Sequence, residues 1–280
     1  MKRKFGIQGA ACTHTGRVRS NNEDNFYLAG RYRENVEQGE DAAVCRSYDR
    51  CFLAAVADGM GGEELGEEAS LMAVQALKPC SFREIPSEAE KAVRRGNDRI
   101  CEEMKRRGNR RMGSTLTALY IDEGRAVCCN VGDSRGYLRR DGELFQLSVD
   151  HNKAERMVKL GILTPEQAAR HPSRHELTQH LGIFADEMVI GPAVSRPVAL
   201  KDGDLFLLCS DGLTDMVSPE DMKAVLSEKI LPQEMAERLV ELALAGGGRD
   251  NVTVIVLQIR EKAPVWRRLF GQAAGISCRE

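Results

Sequence analysis

Apolar positions along this chain gather in short runs bounded by glycine and acidic residues. The runs "CFLAAVA" (51–57), "LTALYI" (116–121), "AVCCNV" (126–131), "LFLLCS" (205–210) and "VTVIVLQI" (252–259) are mostly rich in β-branched or bulky side chains. Such runs read as buried strands. The stretch "GYLRRDGELFQL" (136–147) reads as a hairpin with Asp141-Gly142 as its turn.

Helices are marked by their ends. Ser87 with Glu90 forms a capping box that predicts a helix over 88–107. Thr164-Pro165 with Gln167 opens a short helix to about residue 170, and Ser218-Pro219 opens another to about residue 228. "PQEMAERLVELALAGGG" is a helix halted by Gly246 to Gly248, and a further helix is expected over 65–78. The resulting order lacks a regular βαβ alternation, which disfavours a doubly wound parallel sheet. Hairpin-type neighbours predict antiparallel sheets with helices packed outside. No repeat and no internal boundary is visible, and 148–198 reads as an elaborated surface segment.

Composition changes this picture little. The chain has 280 residues, 42% of them hydrophobic and 29% charged, with a net charge of −2, so nothing in it suggests nucleic acid. Its nine Cys show no CxxC pair and read as reduced core thiols in a cytoplasmic protein. "MKRKFGIQGAAC" starts like a leader, but "FGIQ" is far short of the roughly 7–15 apolar residues such a segment needs. No stretch approaches the roughly 20 apolar residues of a membrane span.

The chemistry collects at strand ends. "FLAAVADGM" and "LFLLCSDGL" each close an apolar run with Asp-Gly, and "CCNVGDSRG" is a looser version ending in Asp133. "GRDNVTVIVL" is the mirror image, with Asp250 just before a strand begins. In an antiparallel sheet the end of one strand lies beside the start of its neighbour. Asp58, Asp211 and Asp250 are therefore predicted to meet on one edge of the core, with Asp133 nearby. One Asp-Gly is a common turn, but four acids flanking buried strands call for another cause. Clustered carboxylates repel unless a cation neutralises them, and all-oxygen ligands favour Mg²⁺ or Mn²⁺ over zinc. The glycine after each Asp then lets a carbonyl approach the ion. Near the N-terminus Arg19 suits bidentate capture of phosphoryl oxygens, and Glu23 and Asp24 add acids that suit a second ion or its waters. A phosphate loop is excluded, because Glu67-Glu68 stands where Lys-Ser/Thr would follow Gly61 to Gly66.

Six stretches in order, "VRSNNED", "VADGMGG", "GSTLTAL", "VGDSRGYL", "LLCSDGLTD" and "GGGRDNVTVIVL", resemble the metal-dependent protein phosphatases, the type 2C serine/threonine phosphatases in their bacterial form. The resemblance implies an α+β fold, a four-layer α-β-β-α sandwich of two antiparallel sheets flanked by helices. It implies a phosphatase unit over 1–260, a flap over about 148–182 that influences substrate choice, and a tail over 261–280. Two Mn²⁺ or Mg²⁺ ions would share Asp58, which also holds the water between them, with the Gly59 carbonyl, Asp211 and Asp250 as further ligands. Asp133 with Asp211 would serve a third ion, Glu23 and Asp24 would act through water, and Arg19 would clamp the phosphate. The implied activity is hydrolysis of phosphoserine and phosphothreonine in proteins by a monomer that reverses a serine/threonine kinase.

Met60, as in many bacterial members of that family, occupies the place where eukaryotic members often carry a His proposed as general acid, and His151 is a substitute only by its position. His171, His175 and His180 read as flap surface and packing rather than a metal cluster. "PVWRRLFGQ" near the C-terminus reads as a tail that docks or stays free. Two rival functions remain: a phosphoprotein-binding pseudophosphatase, and a phosphatase of the same fold for small molecules. The first expects lost metal acids, and all are present; phosphate release from peptides against nucleotides separates the second.

Overall fold

In the computed structural model, residues 5–60 and 65–261 are described. Glu63, Glu64 and the tail expected after residue 261, with Trp266, Leu269 and Phe270, lie outside them. Two antiparallel sheets stack face to face. The first has six strands in the order Glu143–Gln146, Arg135–Arg140, Leu205–Cys209, Val252–Glu261, Phe5–His14, Asp41–Ser47. The second is built around Arg125–Val131, Leu116–Asp122, Cys51–Ala57 and Asn25–Leu28, with short strands at its edges.

The uninterrupted apolar runs follow from this layering, because each central strand is covered on both faces. Phe52, Ala54 and Val56 point to the other sheet, where they meet Phe206, Leu208, Ile255 and Leu257. Leu53, Ala55 and Ala57 point outward to the helices Gly66–Gln75 and Ile85–Arg106. On the opposite side Leu205, Leu207 and Cys209 pack under Pro219–Val225 and Pro232–Ala245. The layers therefore run helix, sheet, sheet, helix, as expected.

Three local differences have physical causes. The helix expected from Ser87 begins at Ile85, with Pro86 in its first turn, so no capping box forms there. Proline's fixed φ suits the first turn and moves the start forward. Phe5–His14 is a ten-residue strand that the apolar pattern did not mark, because Gly6, Gln8, Gly9 and two alanines dilute it. Asp41–Ser47 was hidden likewise, being an edge strand with alternate residues exposed. The other ends hold: Thr164 and Gln167 form their capping box, Ser218 caps Pro219–Val225, and Asp141 and Gly142 take φ of 52° and 88° in the hairpin turn.

Candidate metal centre

The antiparallel rule operates twice, once in each sheet, at the same end of the sandwich. In one sheet Asn25 pairs with Ala57, so Asp24 precedes its strand beside Asp58, which follows its own. In the other, Cys209 pairs with Val254, so Asp211 leaves its strand beside Asp250, where the partner strand enters. Asp133 follows Arg125–Val131, whose Val131 lies opposite Leu116. Stacking the two sheets brings all five acids to one edge.

Backbone and hydroxyl groups fix each carboxylate in place. The Asp58 N–H donates to Thr115 Oγ1 at 2.9 Å, and its carbonyl accepts from the Thr115 N–H at 2.8 Å. Thr115 Oγ1 in turn lies 2.7 Å from Ser134 Oγ, which ties Asp58 to the turn holding Asp133. Ser210 links the sheets: its hydroxyl donates to Asp24 Oδ2 at 2.7 Å and accepts from the Thr253 N–H at 3.0 Å. Asn251 holds the N-terminal loop, accepting from the Glu23 N–H at 2.8 Å and donating to the Thr15 and Asn21 carbonyls at 2.7 and 2.8 Å. That loop carries Arg19, whose Nη2 donates to Asp250 Oδ2 at 2.8 Å.

The result is an open cavity of about 480 Å³ lined by Arg19, Glu23, Asp58, Gly59, Met60, Thr115, Asp133, His175, Leu177, Asp211, Asp215 and Asp250. Six of these twelve are carboxylates, against one guanidinium and one imidazole. Burial pushes the Asp58, Asp133 and Asp211 carboxyls up, and their acidic neighbours push them further. Asp24 is buried, and its Oδ1 has no hydrogen-bond partner among the described residues. A site with this excess of negative charge, whose donors are mostly hard carboxylate oxygens, fits a divalent cation such as Mg²⁺ or Mn²⁺.

Not every expected residue stands on the cavity wall. Arg19, Glu23, Asp58, Gly59, Asp133, Asp211 and Asp250 do; Asp24 is 1% exposed and sits behind the wall on Ser210. His151 is buried off the cavity, where its Nδ1 accepts from the Gly132 N–H at 3.4 Å and burial lowers its pKa. The two Asp-Gly glycines have a reason beyond ligand approach. A Cβ on Gly59 would lie 2.1 Å from the Gly66 carbonyl oxygen, and one on Gly212 would lie 2.0 Å from that of Asn251.

Three contributors escaped the sequence reading. Asp215 follows Asp211 by one helical turn, an i,i+4 spacing that was available and unused. His175 ends the short turn Pro172–His175, and its Nδ1 lies 3.6 Å from Asp215 Oδ2 and 4.0 Å from Asp211 Oδ2. Ligand-type atoms of these three lie within 4.8 Å of one another, and Arg174 pairs with Asp215 at 3.0 Å. Asn251 was readable only as a neighbour of Asp250.

Fold and site define a class: a two-sheet α+β sandwich that gathers a cluster of carboxylates at one edge. The family profile of protein phosphatase 2C matches residues 31–243. The chain is 37% identical over 263 residues to the serine/threonine protein phosphatase PstP of Mycobacterium tuberculosis, covering 90% of this chain and 45% of that protein. It therefore spans about half the length of that relative. The serine/threonine phosphatase stp of Listeria innocua is 33% identical over 258 residues, covering 88% of this chain and 93% of its own length. A crystal structure of the PstP catalytic domain in complex with two manganese ions aligns with a TM-score of 0.72 at 35% identity, over 91% of this chain and 99% of that one. The chain belongs to the protein phosphatase 2C family.

Proposed function

We propose that this chain is a metal-dependent phosphatase that hydrolyses phosphoserine and phosphothreonine in proteins and so reverses a serine/threonine kinase. The observation that carries the reading is the shared cavity, in which six carboxylates face one arginine at the rim. Similarity to the named serine/threonine phosphatases supports it, as does the family match. The phosphatase unit is read as 1–260, with the flap over about 148–182.

Mn²⁺ or Mg²⁺ would be held by Asp58, the Gly59 carbonyl, Asp211 and Asp250, with Asp133 and Asp211 serving a third ion and Glu23 acting through water. Such ions, when bound, supply Lewis acidity that activates water and screens phosphoryl charge. The chain's own residues do the rest. Arg19 presents a planar fork to the phosphate oxygens and, being a fixed cation, favours their charge in the transition state. The Thr115–Ser134 link and Ser210 hold the carboxylates of both sheets in register before substrate arrives. Met60 lines the cavity without a proton to give, so the side chain at this position contributes shape and not acid catalysis.

The test is phosphate release from phosphothreonine peptides, nucleotides and sugar phosphates, with Mn²⁺ and with chelator. Release from peptides that chelator abolishes is the expected result. A preference for the small molecules would replace the protein substrate, and binding without turnover would make the chain a pseudophosphatase.

A further inference from the structure

The segment that carries Arg19, Glu23 and Asp24 is held by side chains rather than by a neighbouring strand. Residues 15–24 form neither helix nor strand, so their backbone groups need other partners. Asn251 meets the Asn21 carbonyl and the Glu23 N–H. Asn22 serves the rest: its Oδ1 accepts from the Asp24 N–H at 3.0 Å, and its Nδ2 donates to Thr13 Oγ1 at 2.9 Å and to the Gly39 carbonyl at 2.8 Å. Thr13 Oγ1 also lies 2.7 Å from Thr253 Oγ1, so the network reaches the strand that Asp250 precedes.

Asn22 is itself fixed by Arg33. The Arg33 Nη2 donates to the Asn22 carbonyl at 2.5 Å, and its Nη1 donates to the Gln38 carbonyl at 2.7 Å. Arg33 follows the short strand Arg31–Tyr32, which pairs with Asn25–Leu28 and so turns the chain back. The Asn25 side chain then pins the Arg33 backbone, accepting from its N–H at 3.1 Å and donating to its carbonyl at 2.9 Å. Arg33 is 1% exposed, and its Nε has no hydrogen-bond partner among the described residues. An arginine is seldom buried so fully unless a carboxylate pairs with it. Burial pulls its pKa down, and attraction from Asp24, Asp41 and Glu67 works the other way.

We propose that Arg33 is a positioning residue of the metal centre: its planar fork fixes the Asn22 carbonyl, and Asn22 in turn fixes the Glu23–Asp24 backbone beside the other acids. Arg33 does not line the cavity, so it acts only through Asn22. The inference rests on reading that cavity as a divalent-cation site. A purely structural arginine would give stability to residues 33–40 and leave the acids where they are.

The experiment compares the parent with Arg33→Met, Arg33→Lys and Ile259→Ala. Ile259 is buried at the far end of its strand from Asp250, so Ile259→Ala lowers stability without touching the loop. Two quantities are read: amide exchange at Glu23 and Asp24 in metal-free protein, followed by NMR, and Mn²⁺ affinity by calorimetric titration. In Arg33→Met the two amides are expected to exchange about 10-fold faster. Mn²⁺ binding should weaken about 10-fold, the usual loss when a ligand's supporting partner is removed. Arg33→Lys keeps the charge without the fork and falls between, while Ile259→Ala moves neither quantity.

A folded Arg33→Met that binds Mn²⁺ as the parent does overturns the proposal. Tighter Mn²⁺ binding also overturns it, because the lost charge then outweighs the lost contact. Equal changes in Ile259→Ala overturn it as well, since they reflect global stability. Where Arg33→Met does not fold, Arg33→Lys decides by the same two readouts, and failure of both to fold assigns Arg33 to the fold alone. A parent that binds no Mn²⁺ removes the cation site and this inference together, an outcome distinct from a parent that binds and variants that match it.

Discussion

Arg19 and Asp250, 231 residues apart in sequence, meet through a 2.8 Å hydrogen bond at the rim of the acidic cavity. Both side chains are part-exposed, 52% and 38%, so the pair adds little to stability. Its effect is to hold the guanidinium over the cavity. Replacing Arg19 with Ala is expected to lower kcat/KM on a phosphothreonine peptide about 10- to 100-fold, the worth of one or two charge-assisted hydrogen bonds. The unfolding free energy should move by less than about 1 kcal/mol. Lys at this position keeps the charge without the fork and should recover only part of the loss. Steady-state kinetics beside urea unfolding measure both; an unchanged kcat/KM would remove Arg19 from phosphate binding.

Asn251 has three partners on the N-terminal loop and reaches them with both ends of its amide. Asn251→Ala leaves the Glu23 N–H and two carbonyls without those bonds and frees the loop that carries Arg19. A loss of about 2–4 kcal/mol is expected, since each orphaned buried group costs on the order of 1–3 kcal/mol. Activity should fall with it through a raised KM. Asn251→Asp keeps the acceptor for Glu23 but loses both donors, and should sit no higher than Ala. Urea midpoints for the two variants check this; a shift equivalent to less than about 0.5 kcal/mol would mean that the loop is held elsewhere.

The sheet core was legible because central strands buried on both faces leave uninterrupted apolar runs, as in Cys51–Ala57 and Leu205–Cys209. Asp58, Asp211 and Asp250 were legible because each sits just beyond one end of such a run. Phe5–His14 was not, since its glycines and alanines pack by close approach and carry no hydrophobic signal. His175 was not, because it reaches Asp211 and Asp215 by tertiary contact, and nothing local to "SRHEL" encodes that approach. The rim ion pair of Arg19 and Asp250 was hidden for the same reason: the motif placed an arginine near the acids without showing which one it meets.

The acid cluster sets a pH dependence for the metal-free protein. Folding raises Asp211 to about 6 and Asp133 to about 8, chiefly by burial, against about 3.9 in an unfolded chain. A group raised on folding contributes stability that is complete below its unfolded pKa and lost as pH rises through its folded pKa. With chelator, these two groups should therefore make the protein less stable as pH climbs from about 4 to about 8. Asp133→Asn should flatten that slope, and saturating Mn²⁺ should reverse it, because the ion binds the ionised carboxylates of the folded state. Thermal unfolding across this range with and without chelator tests the sign. Metal-free stability that rises over the same interval in the parent, relative to Asp133→Asn, would contradict it.

Gly212 offers a test of why an acid at this edge is followed by glycine. It lies in the short helix Asp211–Thr214 without a positive φ, so local propensity alone would favour Ala by up to about 1 kcal/mol. Against that, a Cβ here would stand 2.0 Å from the Asn251 carbonyl oxygen, a backbone atom that cannot swing aside. Relief requires the Asp211 turn to move away from the strand that Asp250 precedes. Gly212→Ala is therefore expected to destabilise the protein by about 1–3 kcal/mol, the usual cost of overpacking, and to weaken Mn²⁺ binding by separating the two acids. Calorimetric titration with Mn²⁺ alongside thermal unfolding reads both effects. If the variant instead matched the parent in metal affinity and gained stability, the close approach would be irrelevant and the glycine would have to be explained by ligand access alone.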